Sequence, residues 1–102
     1  MKSITIIGPC YNEEDNLDEY LRRITKVLVK LNLEYKIILV DDGSKDKTWQ
    51  KILENSKKNK KIYGIKFTKN FGHQSAIMAG IIAQILIMYF LVMLIFKILL
   101  SY

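Results

Sequence analysis

Residues 35–44 read Y-K-I-I-L-V-D-D-G-S, an almost unbroken apolar run that stops at two carboxylates, a glycine and a serine. Ile37, Ile38 and Val40 are β-branched and Leu39 is equally apolar, so neither face of such a strand is reserved for water. A strand buried on both faces belongs in a parallel sheet covered by helices. Asp41-Asp42-Gly43-Ser44 is the turn that ends it.

The flanking sequence supplies the other layers. S-I-T-I-I-G (residues 3–8) reads as a strand that stops at Gly8-Pro9, and I-Y-G-I-K-F (residues 62–67) as a third. Leu17, Leu21, Ile24, Leu28 and Leu31 recur at steps of four and three, which predicts a helix laid on the sheet. Asn12 or Asp15 can cap that helix, and Glu13, Glu14 and Asp15 suit the positive end of its dipole. A second helix is predicted from about Lys45 to Lys58, with Trp49, Ile52 and Leu53 as its apolar face. Asn70-Phe71-Gly72 closes the third strand before a helix starting near His73. Strands alternating with helices give βαβ units and an α/β fold.

The chain has 102 residues, 16 Lys+Arg, 10 Asp+Glu and one Cys. That length fits one small domain with a modest core, and the single cysteine excludes an internal disulfide framework. The charges are unevenly spread. All ten acids fall within residues 13–54, so residues 1–54 carry a net −1, whereas residues 55–102 carry seven Lys and no acid. Any acid chemistry must therefore come from the first 54 residues or from another chain.

Between Lys69 and Lys97 no Asp, Glu, Lys or Arg occurs, and residues 77–100 are almost wholly apolar. As a helix these 24 residues reach about 36 Å, enough for a hydrocarbon core of about 30 Å. The stretch is a transmembrane candidate, with Gln84 and Lys97 as blemishes; Lys97 lies near enough to the end to snorkel. Lys57, Lys58, Lys60, Lys61, Lys66 and Lys69 precede it, which keeps the N-terminal part cytoplasmic. Met1-Lys2-Ser3-Ile4 has no signal-peptide pattern, in keeping with a cytoplasmic start.

In an open parallel sheet, ligands bind beyond the carboxyl ends of the strands. Pro9-Cys10-Tyr11-Asn12-Glu13 and Asp41-Asp42-Gly43-Ser44 both fall there, and a right-handed crossover makes their strands neighbours. An aromatic ring, an amide, carboxylates and helix N-termini are what a nucleotide needs. Asn12, Asp15, Asp42 and Ser44 are also ordinary caps and turn formers. No dinucleotide or P-loop fingerprint occurs. His73 has no Cys or acid near it in sequence, so no zinc site is expected, and Cys10 lacks a partner that would activate it. The lysine-rich half has no interleaved aromatics to stack on bases, which argues against nucleic acid.

Three stretches taken together, I-I-G-P-C-Y-N-E-E-D-N-L, I-I-L-V-D-D-G-S-K-D-K-T and T-K-N-F-G-H-Q-S-A-I-M-A-G-I, resemble family 2 glycosyltransferases over residues 3–82. The nearest likeness is to the polyprenyl-phosphate branch, the dolichol-phosphate mannose synthases and bactoprenol glucosyltransferases. The resemblance implies a Rossmann-like nucleotide-sugar-binding (glycosyltransferase-A type) half domain over residues 1–81; the hydropathy pattern adds a C-terminal hydrophobic tail over residues 82–102, a transmembrane-helix candidate or a frame-disrupted segment. It implies transfer of a sugar from a UDP- or GDP-sugar to a polyprenyl phosphate at the membrane. Carried over residue by residue, Pro9, Tyr11 and Glu13 line the nucleotide pocket, with Asn12 in the same loop. Val40 and Asp42 hold base and ribose, and Asp41 and Ser44 support the turn. Asn70, Gly72 and His73 lie near the diphosphate.

The chain also departs from the family. Relatives continue after this point to a strand ending in Asp-x-Asp, which holds Mg²⁺ or Mn²⁺ on the diphosphate. Here the sequence runs Ile82-Ala83-Gln84-Ile85-Leu86 and offers no further acid. The tail is therefore either a membrane anchor fused to a half domain or the product of a disrupted reading frame. No catalytic residue or metal ligand can be assigned. The 102-residue chain alone is expected to be inactive, and the competing reading is a silent, membrane-anchored nucleotide-binding remnant or interaction protein.

Overall fold

The computed structural model describes residues 2–100. Strands β1 (Ser3–Cys10), β2 (Glu34–Asp41) and β3 (Ile62–Lys66) alternate with helices α1 (Leu17–Lys30), α2 (Thr48–Lys58) and α3 (His73–Leu100). The strands form one parallel sheet in the order β1-β2-β3. As its composition requires, β2 is central, and Ile37, Ile38, Leu39, Val40 and Asp41 are all 0% exposed.

Alternation along β2 divides the core. Ile37 and Leu39 join Leu17, Leu21 and Leu28 of α1, Ile52 of α2 and Ile62 of β3 on one face. Ile38 and Val40 join Ala76 on the other, flanked by Ile65, Phe67, Ala79 and Ala83. Each large side chain fully buried this way contributes about 1.5–3 kcal/mol. Helix α3 lies close to β1 because Gly80 has no side chain. A Cβ there would stand 2.4 Å from Ile7 Cγ2.

Several boundaries differ from the sequence-based expectation, each for a local reason. β1 runs through Gly8 and Pro9 to Cys10. It is an edge strand, and proline is tolerated at a sheet edge. Neither Asn12 nor Asp15 caps α1; the N-cap position is Asn16, which makes no side-chain cap bond. Leu31 closes that helix as an exposed C-cap rather than a core residue. After it, Asn32 is left-handed at φ 54, its N–H donates to Val29 O at 3.0 Å, and Leu33 N–H donates to Leu28 O at 3.2 Å. This is a Schellman ending with asparagine in glycine's usual place. α2 starts at Thr48 because residues 45–47 belong to the turn, and its buried positions are Thr48 and Ile52 while Leu53 is exposed.

Helix α3 has 28 residues, and its first three turns cover the sheet while its distal half leaves it. Every side chain from Met88 to Phe96 is at least 40% exposed. It is one helix long and apolar enough, by length and composition, to cross a membrane. The boundary between residues 81 and 82 falls inside this continuous helix, which still touches the sheet at Ala83 and Gln84.

Candidate functional site

Three loops meet at the carboxyl ends of the strands, and two sets of hydrogen bonds hold them together. The first set joins the loop after β1 to the loop after β2. Asn12 N–H donates to Ser44 Oγ at 2.9 Å, and Lys45 N–H returns a bond to Asn12 Oδ1 at 2.9 Å. Glu13 N–H donates to Thr48 Oγ1 at 2.8 Å, and Glu14 N–H to Asp46 Oδ2 at 3.3 Å. Thr48 Oγ1 donates in turn to Asp46 Oδ1, which also accepts Thr48 N–H at 2.9 Å. Partial burial raises the Asp46 pKa, but the bonds from the Thr48 hydroxyl and from the Thr48 and Glu14 amides outweigh it. Its carboxyl is held below its ordinary value of 3.8. Such a depressed acid contributes stability above that value and loses it as pH falls through the folded pKa.

The second set centres on Asp42, which is 4% exposed. Its carboxylate accepts Phe71 N–H at 2.8 Å, Gly72 N–H at 3.2 and 3.3 Å, and Asn70 Nδ2 at 3.3 Å. Asn70 Nδ2 also donates to the Asp42 carbonyl at 3.2 Å. One buried carboxylate thus fixes the loop that delivers the N-terminus of α3. Within α3 the first backbone bond runs from Ala76 N–H to Gly72 O at 3.2 Å, so the amides of residues 73–75 precede it at the helix start.

Seven of the residues singled out in the sequence, Pro9, Tyr11, Glu13, Asp42, Asn70, Gly72 and His73, line one cavity of about 370 Å³ together with Cys10. A second cavity of about 360 Å³ shares Pro9, Cys10, Glu13 and His73 and extends along β1 to Tyr20. The remaining candidates lie elsewhere. Asn12 and Ser44 bond each other's loops outside this lining. Asp41 is buried, with Oδ1 accepting Ser44 N–H at 3.0 Å and Oδ2 unpartnered. Val40 is a core residue packed with Ile38 and Ala76, so its side chain lies in the core rather than on the cavity wall. Asp46 and Thr48 were not singled out. The D-x-T spacing ahead of a helix was their signal, because an aspartate accepts the N–H two residues on.

Gly43 is indispensable to this junction. It sits at φ +74, and a Cβ there would lie 2.3 Å from Lys69 C and 2.4 Å from Asn70 N, both backbone atoms. Gly43→Ala therefore combines left-handed strain of about 1–3 kcal/mol with displacement of the third loop. We expect its urea midpoint to fall accordingly; an unchanged midpoint would show that the loops are not packed this closely.

Cys10 is buried with its Sγ 3.5 Å from Gly8 O, and burial, then the charges of Asp41 and Glu13, push its thiol up to about 12 from 9.0. A thiol held neutral this way is not a nucleophile. Its contribution to stability is complete below about 9 and is lost as pH climbs toward 12. At pH near 8 we expect a disulfide reagent to label it on the order of a hundredfold more slowly in the folded chain than in urea. Equal rates would place the thiol in solvent.

The residues present do not suit a divalent cation. Asp42 is already engaged by N–H donors and Asp41 is enclosed. Among the described residues no group of three or more His, Cys, Asp or Glu converges to hold a metal.

A parallel sheet covered by helices on both faces, with three polar loops gathered at its carboxyl ends, defines an open α/β protein of Rossmann-like build. The sequence profile described as "Glycosyl transferase family 2" matches residues 5–83, and the chain belongs to that family. An uncharacterised glycosyltransferase, sll0501, of Synechocystis sp. is 42% identical over 78 residues, which cover 76% of this chain and 24% of the relative. Another, YkoT of Bacillus subtilis, is 44% identical over 84 residues, covering 76% and 25%. The chain thus spans about a quarter of the length of these relatives.

Proposed function

We propose that the three-loop crevice is the donor-nucleotide site of a glycosyltransferase and binds a UDP- or GDP-sugar. The observation that carries this reading is the cavity bounded by Tyr11, Glu13, Asp42, Asn70 and His73. Tyr11 offers a ring to a base, Glu13 an acceptor for ring N–H or ribose hydroxyl groups, and the opening turn of α3 amide donors for phosphate. The acceptor in this reading is a polyprenyl phosphate, supported by the family resemblance and by the apolar helix.

A second reading, a membrane-anchored nucleotide-binding module without catalysis, is favoured by the absence of converging carboxylates among the described residues. Calorimetric titration of the detergent-solubilised chain with UDP and with GDP tests the shared part. We expect a Kd of about 1 mM or tighter for one of them, near −4 kcal/mol. No heat from either nucleotide would refute the site. Metal-dependent sugar transfer to polyprenyl phosphate by the purified chain would refute the second reading.

A further inference from the structure

Taking the crevice as a donor-nucleotide site, we infer that Thr48 is a positioning residue for it: the Thr48 hydroxyl, aimed by the Asp46 carboxylate, sets where Glu13 stands in the wall and so governs nucleotide affinity. The bonds form a chain with one possible direction. Glu13 N–H donates to Thr48 Oγ1 at 2.8 Å, and that hydroxyl donates onward to Asp46 Oδ1. Thr48 N–H donates to the same Oδ1 and Glu14 N–H to Oδ2, so both carboxylate oxygens face donors. An ionised carboxylate only accepts. Asp46 is held below its ordinary 3.8 and keeps its charge at neutral pH, so the Thr48 proton points at it. The lone pairs of Thr48 Oγ1 are thereby left to Glu13.

Thr48 is the first residue of α2, is 0% exposed, and lies outside the lining of both cavities at the crevice. Glu13 belongs to both linings. Capping of α2 alone needs only the bond from Thr48 N–H to Asp46, two residues away. The hydroxyl reaches instead across 35 residues of sequence to the loop after β1. A buried hydroxyl is costly unless its hydrogen-bonding capacity is met, and here it both donates and accepts. The Asp-x-Thr pair therefore does more than start a helix.

Glu13 is gripped on its other side as well. Its carbonyl accepts Asn16 N–H at 3.1 Å and Leu17 N–H at 2.9 Å, and Leu17 is packed in the core. The Glu13 backbone thus stands between the first residue of α2 and the first residue of α1. Its carboxylate has a looser tie, an exposed bond from Asn16 Nδ2 to Oε2 at 3.2 Å. With the backbone fixed, the carboxylate moves only about its own side-chain torsions, so less freedom is lost when a ligand N–H or hydroxyl engages it. Without the Thr48 hydroxyl, Glu13 N–H faces hydrocarbon and the residue loses one of its two backbone anchors.

Two substitutions divide this side chain. Thr48→Val keeps its shape and removes the hydroxyl, whereas Thr48→Ser keeps the hydroxyl and removes a methyl. Each takes a group from an enclosed site, so urea unfolding followed by circular dichroism should show a lowered midpoint for both. Calorimetric titration of the full detergent-solubilised chain with UDP and with GDP should separate them. We expect Thr48→Val to bind the preferred nucleotide about tenfold more weakly and Thr48→Ser to stay within about threefold of the parent. Asp46→Asn should resemble Thr48→Val, because its amide nitrogen must face a donor whichever way the group is turned. Equal affinity in Thr48→Val and the parent, or an equal loss in Thr48→Ser and Thr48→Val, would overturn the proposal. A parent that binds neither nucleotide would refute the donor site itself, and the Glu13 amide then decides the relay. Its hydrogen exchange, read by NMR, should be on the order of tenfold faster in Thr48→Val than in the parent or Thr48→Ser. Equal exchange in all three chains would show that the hydroxyl does not hold Glu13.

Discussion

Asp42→Ala is expected to lower the stability of the domain by about 3 kcal/mol, the largest single effect of any change in the crevice. The wild-type carboxylate accepts the Phe71 and Gly72 amides and the Asn70 side chain, all within 3.3 Å. Alanine leaves the two backbone donors at the start of α3 without their acceptor, and each orphaned buried donor costs about 1–3 kcal/mol. Nothing in the substitution creates a steric clash, so the loss reads the hydrogen bonds. Asp42→Asn retains one oxygen and should lose about half as much, while also weakening nucleotide binding by displacing residues 70–73. Urea unfolding followed at Trp49 measures both variants. An Asp42→Ala midpoint equal to the parent's would mean that the loop before α3 stands without this carboxylate. Nucleotide affinity unchanged in Asp42→Asn would detach the crevice from the loop it is built on.

The central strand was legible because burial on both faces demands apolar residues at consecutive positions, and Ile37, Ile38, Leu39 and Val40 supply them without interruption. The same property hid the place of Val40. A residue at the end of such a strand reads as part of the crevice wall, yet strand alternation turns its side chain into the core beside Ala76. The crevice was legible as a location, since three polar loops follow three strands of one parallel sheet. How the loops hold together was not. Asn12 carries the residue type of a helix cap, but its left-handed backbone at φ 54 and its bonds to Ser44 and Lys45 make it a bridge across 32 and 33 residues of sequence. Local pattern contains no information about partners that distant. The direction of α3 is likewise a tertiary fact. Its hydropathy marks it as a membrane candidate, whereas which end of the sheet it leaves depends on where Ala76, Gly80 and Gln84 find their contacts.

In the proposed membrane-bound form that helix meets two solvents, and the second large effect follows from the division. Leu91→Lys combined with Leu94→Lys places two charges in the distal half, where each costs about 2.5–3.5 kcal/mol at the centre of a bilayer. Together they should abolish partition into phosphatidylcholine vesicles, read by flotation. The domain should not notice, because both side chains are at least 45% exposed and surface changes of this kind usually stay within about 0.5 kcal/mol. Gly80→Val, about one turn before Gln84 in α3, should do the reverse. Its branched side chain meets Ile7, whose Cγ2 lies 2.4 Å from the position of even a single Cβ. Overpacking of this kind costs about 1–3 kcal/mol of folding stability and leaves the free helix as apolar as before. Lysines in the tail that destabilise the domain would show that residues beyond Gln84 pack against it in solution. A Gly80→Val chain as stable as the parent would show that α3 stands off the sheet. If both expectations hold, the helix changes environment near Gln84, where Lys36 meets it and where the domain ends and the lipid-facing surface begins.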